Sequence, residues 1–202
     1  MTGFPAQEHI AYTDGVGNTY DVTYTVPKLL LNSGDAAQVN REIEELCLPE
    51  IAYAQQSAEA GTSLILMNIS YQAWLENNNL TLILALDYDA DSAYYTVYRL
   101  CVNSGALLTN EDMAAQLGIG DAEYSGFVRN AMEAHFASMY SGAKEAVGEE
   151  FYLAQLENTV SDDNVQAAEL YFDADGTPML HCRIYLLAGA SWYEYLIPLF
   201  PA

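Results

Sequence analysis

The sequence predicts an α+β fold, an antiparallel sheet of about seven strands with three or four helices packed mainly on one side. Three observations carry this. The stretch 80–108 (LTLILALDYDADSAYYTVYRLCVNSGALL) reads as two long apolar strands joined by an acidic turn. A second set of strand-like runs lies at 165–199. Between them, 109–158 carries helical spacing, so strands and helices come in blocks rather than in alternating βαβ order.

The elements follow in chain order. Residues 1 to about 18 are polar and Gly-containing, which suits either a frayed arm or a short strand at His9–Tyr12. Thr19–Val26 alternates, with Tyr20, Val22, Tyr24 and Val26 on one face, and Pro27 closes it. Asn32-Ser33-Gly34-Asp35 is a helix start. Ala36, Val39, Ile43 and Cys47 then recur at helical spacing, and Ile51 and Ala54 continue the face beyond Pro49. This is either one kinked helix or two with Pro49 in the first turn of the second, ending near Ala60-Gly61. Leu64–Leu75 alternates with Met67, Ile69, Tyr71, Ala73 and Leu75 on one face, and Glu76–Asn79 is a polar turn. Leu80–Asp87 is almost wholly apolar, the pattern of a central strand covered on both faces. Ser92–Val102 returns beside it.

After the Asn103-Ser104-Gly105 turn, Thr109 with Asp112 three residues on has the form of a helix N-terminus. A short helix runs to about Leu117. Tyr124, Phe127, Val128, Ala131, Met132, His135, Phe136 and Met139 make an amphipathic stripe in the next, and about 144–158 forms a third. Val165–Phe172, Met179–Leu187 and Trp192–Leu199 read as strands, the first two joined by a tight Asp173–Gly176 turn. This organisation gives a strand–helix–strand subdomain over 19–79 and a strand–helices–strands subdomain over 80–202 that shares the sheet, or one continuous domain.

Charge narrows the partners. There are 28 acidic residues against 6 basic ones, a net charge of -22. Nucleic-acid binding requires Lys and Arg to displace counterions from phosphates, so this surface repels it. An anionic membrane surface is disfavoured on the same ground, and no run of about 20 apolar residues exists to span a bilayer. The acidity reads first as a solvated surface that keeps the chain soluble, with a cationic protein partner as the alternative.

Chemistry-bearing patterns are few. Cys47, Cys101 and Cys182 have no metal or redox spacing, so buried free thiols are expected, with one disulfide left open. There is no GxSxG elbow, HExxH or phosphate loop. Asp87, Asp89 and Asp91 have the alternate spacing of a calcium loop. The Gly and the bidentate Glu such a loop needs are replaced by Ser92 and Tyr98. Tyr94 and Tyr95, and Trp192 and Tyr193, lie at strand starts, where aromatic faces stack on sugars or anchor a protein partner, or else pack across strands.

Three runs carry a family resemblance: YTVPKLLLNSGDAAQVNREI (24–43), VYRLCVNSGALLTNEDM (97–113) and LYFDADGTPMLHCRIYLLAGASWYEYLIPL (170–199). They resemble the paired domains of unknown function found outside the membrane in Gram-positive bacteria. That pair forms the exterior part of lysozyme-sensing anti-sigma factors and precedes the catalytic domain of some peptidoglycan deacetylases. The opening signature is matched by Pro27, Asn32, Ser33, Asn40 and Ile43. The second is matched by Tyr98, Gly105, Leu108, Thr109 and Asp112. Many relatives carry a Gly-Ala-His type segment before the second signature. Here it is Ser92-Ala-Tyr-Tyr-Thr-Val, so a ligand role tied to it is not carried over.

The resemblance implies an extracellular or cell-envelope location, with an export or anchor segment upstream, and a non-enzymatic binding or sensing role toward a cationic protein or cell-wall glycan. Composition alone leaves a cytoplasmic location open. Two other readings stand beside this one. One is a glycan- or peptide-directed hydrolase using paired carboxylates. The other is a calcium-stabilised module built on Asp87, Asp89 and Asp91.

Overall fold

The computed structural model describes residues 6–89, 93–188 and 191–201. The fold is α+β, as expected, but its strands form two sheets rather than one, and the larger is mixed rather than purely antiparallel. The chain divides into two compact units, Met1–Leu107 and Leu108–Ala202.

The first unit holds β1 (Ala6–Thr13), β2 (Thr19–Val26), α1 (Gly34–Ala60), β3 (Leu66–Glu76), β4 (Asn79–Tyr88) and β5 (Tyr94–Cys101). The sheet order is β1-β2-β3-β4-β5, and every neighbouring pair is antiparallel except β2 and β3. The exception follows from the connection. Parallel neighbours need a long crossover, and α1 supplies it between β2 and β3. The apolar stripe of α1 (Ala36, Val39, Ile43, Cys47, Ile51, Ala54) is buried with Tyr24, Ile69, Leu82, Leu84 and Leu100 in one core. Both halves of that stripe stay in register through Pro49, so α1 continues unbroken. The burial outweighs the backbone hydrogen bond that proline removes.

β4 is an interior strand, flanked by β3 and β5. Leu80, Leu82, Leu84 and Leu86 join the α1 core, and Asn79, Thr81 and Ile83 on its other face are buried as well. In β3 strict alternation fails once. The register shifts between Leu66 and Asn68, which lets Leu66 and Ile69 both be buried. The fully buried Tyr24 donates its hydroxyl to the Leu66 carbonyl at this bulge, 2.7 Å away.

Two turns meet at the α1 N-terminus. Ser33 caps the helix by accepting from Ala36 N at 3.0 Å, and its hydroxyl donates to the Gly105 carbonyl at 2.7 Å. Asp35 accepts from Leu107 N at 2.9 Å. Gly105 has φ +71°, and a Cβ there would lie 2.4 Å from Ser33 Cβ, so no side chain fits.

The second unit holds α2 (Asn110–Gln116), α3 (Asp121–Met139), α4 (Lys144–Val147), α5 (Glu149–Thr159), α6 (Asp162–Ala167), β6 (Glu169–Phe172), β7 (Pro178–Tyr185) and β8 (Trp192–Pro198), with sheet order β6-β7-β8. Six helices are thus present among the described residues, against three or four expected. The run expected to be a strand from Val165 begins instead as α6. Ser161 caps that helix, and the strand starts only at Glu169. Thr109 and Asp112 form the full reciprocal capping box on α2. Asn110 clamps the start of β6, donating to Ala168 O at 2.8 Å and accepting from Leu170 N at 2.9 Å. No described helix is long and apolar enough to cross a membrane.

Two substitutions test these contacts. Tyr24→Phe leaves the Leu66 carbonyl without its buried donor and should lower unfolding stability in urea by roughly 1–3 kcal/mol. Gly105→Ala should destabilise more than Ser33→Ala, which removes only the cap and its bond at about 1 kcal/mol. Adding Ser33→Gly to Gly105→Ala should restore part of the loss, since it removes the atoms a Cβ would meet.

Candidate functional site

The densest group of ionisable side chains sits on the three-stranded sheet of the second unit. Alternation along β7 sends Leu180, Cys182 and Ile184 into the helix-facing core and His181 and Arg183 to the other face. In the antiparallel register Glu169 stands opposite His181, and Glu194 opposite Arg183. His181 Nδ1 lies 3.0 Å from Glu169 Oε2, and Nε2 lies 3.2 Å from Glu194 Oε2. Arg183 Nε is 3.7 Å from Glu194 Oε1, and its guanidinium lies 4.3 Å from the centre of the Trp192 ring. Glu194 is buried, its side chain only 7% exposed.

Burial by itself would push the His181 pKa down. Contact with Glu169 and Glu194, through hydrogen bonding and through their charges, more than reverses this and lifts it to about 9. The imidazole is therefore a cation at neutral pH, with both nitrogens directed at carboxylates. In that state the imidazole holds no lone pair to accept a proton, and the group forms an ion network across three strands. Trp192 already holds the Arg183 cation on its ring.

The other sequence candidates fall into separate places. Asp87 accepts from Asn68 Nδ2 at 3.1 Å, and Asp89 follows β4 with its backbone N donating to Ile65 O. Asp91 lies outside the described residues. Among the described residues no group of three or more His, Cys, Asp or Glu side chains is arranged to hold a metal ion. Tyr94 packs edge-to-face on Tyr88 at 5.6 Å. Tyr94 and Tyr95 are consecutive on β5, and Trp192 and Tyr193 on β8, so within each pair the rings point to opposite sheet faces and make no shared platform. All three thiols are free. Burial raises Cys47 to about 11 and Cys182 to about 12, while a hydrogen bond with Ser104 holds Cys101 below the ordinary thiol value.

A shallow groove of about 270 Å³ runs between α3 and β8, lined by Ala131, Ala134, His135, Ser138, Ile197 and Pro198 among others. His135 packs 5.1 Å from the Tyr195 ring, and burial lowers its pKa from the ordinary imidazole value. Its Nε2 is buried without a hydrogen-bond partner among the described residues.

The His181 network escapes inspection of residue types because its contacting partners lie 9 to 13 positions apart in the chain. Hairpin register is the signal that finds it. A turn centred on Asp175 sets Glu169 opposite His181, and the next turn sets Arg183 opposite Glu194. Compared with known proteins, the chain matches no family model and no curated sequence.

The network predicts a pH dependence with a defined sign. The folded His181 pKa lies above the unfolded value of about 6.5, so the folded state holds the proton more tightly. Its contribution, roughly 3 kcal/mol, is complete below about pH 6.5 and is lost as pH rises through about 9. Urea melts across this range should show stability falling toward alkaline pH in the wild type, with a flatter profile in His181→Gln. Glu194→Gln should also destabilise, since it leaves charged partners in a buried setting.

Proposed function

We propose that this chain is a non-enzymatic binding or sensing domain of the bacterial cell envelope, and that its ligand is a cationic protein, with cell-wall glycan as the alternative ligand. The observation that carries the reading is uncompensated negative charge on both units. Met1–Leu107 holds 13 acidic and 3 basic residues, and Leu108–Ala202 holds 15 and 3. Four of the six cations are engaged locally or buried. Arg129 pairs with Asp162 and Lys144 with Glu149, both at 2.7 Å, Arg183 faces Glu194 and Trp192, and Arg99 is buried. Even with every cation matched to one carboxylate, 22 carboxylates have none.

Such a field accelerates encounter with a basic partner and suppresses acidic ones. The envelope location rests on the resemblance in the 24–43, 97–113 and 170–199 runs.

The test mixes the whole chain with a lysozyme, as the cationic probe, and with peptidoglycan fragments. Lysozyme should associate at low ionic strength and weaken steeply as salt shortens the screening length toward about 10 Å at 0.1 M. If neither probe binds at low salt, the reading is wrong.

A further inference from the structure

We propose, building on the binding-domain reading above, that the open face of the five-stranded sheet over β1, β2 and β3 binds an extended, uncharged glycan chain. This gives the glycan ligand of that reading a place and does not require the cationic one.

Alternation decides which side chains make the face. Tyr24 and Ile69 are paired neighbours on β2 and β3, and both point into the core beneath α1. The residues flanking them, Thr23 and Thr25 on β2 and Asn68 and Ser70 on β3, therefore point the other way, and Gln72 follows two positions on. Thr23 and Gln72 are exposed, while Thr25, Asn68 and Ser70 are half-buried. Asn68 stands opposite Asp87 on β4 and donates to its carboxylate at 3.1 Å, and Ser70 stands opposite Ala85. The row through Ser70 and Ala85 ends at half-buried Tyr95 on β5. The side chains of Thr23, Thr25, Ser70 and Gln72 make no hydrogen bond among the described residues.

Charge sets this face apart from the rest of its unit. α1, on the opposite side of the sheet, carries six carboxylates, Asp35, Glu42, Glu44, Glu45, Glu50 and Glu59. The open face carries Asp21, 2.6 Å from His9 Nε2, then Asp87, held by Asn68, and Glu76 at the far end of β3. A cationic partner finds denser charge on the helix side. A partner that docks through apolar groups finds no large aliphatic side chain among Thr23, Thr25, Asn68, Ser70 and Gln72. These side chains offer hydroxyls and amides that both donate and accept, beside a carboxylate that only accepts. Sugar hydroxyls also donate and accept, so a glycan satisfies this set without bringing a charge. Adjacent strands lie about 4.8 Å apart, close to the length of one sugar ring. Polar groups therefore recur across β2, β3 and β4 at the spacing of successive sugars, and the Tyr95 ring suits the apolar C–H face of one of them.

The experiment titrates the whole chain with chitohexaose and, separately, with cellohexaose, two uncharged probes. Backbone amide signals are followed by NMR at low and moderate salt. At least one probe should shift signals of β2 and β3, with the same affinity at both salt levels. Asn68→Ala with Gln72→Ala should weaken that probe roughly tenfold. Thr23→Val with Ser70→Ala removes only hydroxyls and should weaken it several-fold, so the face is tested even if the first pair unfolds. Lysozyme association should be unchanged in both pairs. If neither probe shifts β2 or β3, or if both pairs bind as the wild type does, the proposal is wrong. Salt-dependent lysozyme association would then leave the cationic reading standing, and absence of both lysozyme and glycan binding would end the binding-domain reading. Glycan binding that collapses as salt rises would assign recognition to charge and also overturn the proposal.

Discussion

The first unit depends on one requirement, that α1 bury a single stripe over its whole length. Ala36, Val39, Ile43, Cys47, Ile51 and Ala54 are each nearly inaccessible. A helix of 27 residues covering a sheet must start and finish at opposite ends of it. The strand after it therefore runs the same way as the strand before it, and β3 lies parallel beside β2. The remaining contacts fix how α1 is entered. Asn40 donates to Leu29 O and accepts from Leu29 N, which holds the loop leaving β2 against the helix. Ser33 and Asp35 tie its first turn to the end of β5.

Charge sets a different constraint on the second unit. With so few cations, each basic group does a local job. Arg129 bonds the Val160 carbonyl and Asp162, joining α3 to the start of α6. His181 and Arg183 hold Glu169 and Glu194 between strands. Neutral side chains complete the joints: buried Asn164 donates to Thr159 O and Arg183 O, and Thr159 Oγ1 accepts from Tyr185 N. The interior thereby reaches electrostatic balance with cations and amides. The exterior carries the excess of carboxylates, where water and counter-ions solvate them.

Much of this was legible in the sequence. Periodicity located α1, β2, β4 and β7, and the capping residues Ser33 and Thr109 marked helix starts that the structure retains. The parallel β2–β3 pairing was also latent in the strand–helix–strand order of 19–76. The surrounding hairpins suggested antiparallel neighbours throughout. Val165 misled because an apolar residue next to a strand-like run fits either state; Ser161 and Asn164 settle it as a helix by capping and buried hydrogen bonding. The β3 bulge was hidden because period-two reading has no term for a skipped residue. The His181 network was hidden because it is a property of register, as the Glu169 pairing around the Asp173–Gly176 turn makes plain.

The residues that carry the family resemblance have recognisable structural tasks. Ser33 caps, Asn40 clamps, and Ile43 is fully buried. Gly105 occupies a left-handed position against Ser33, and Thr109 with Asp112 closes a capping box. Any chain that keeps these residues keeps the helix entries and the turn that meets them, whatever it binds.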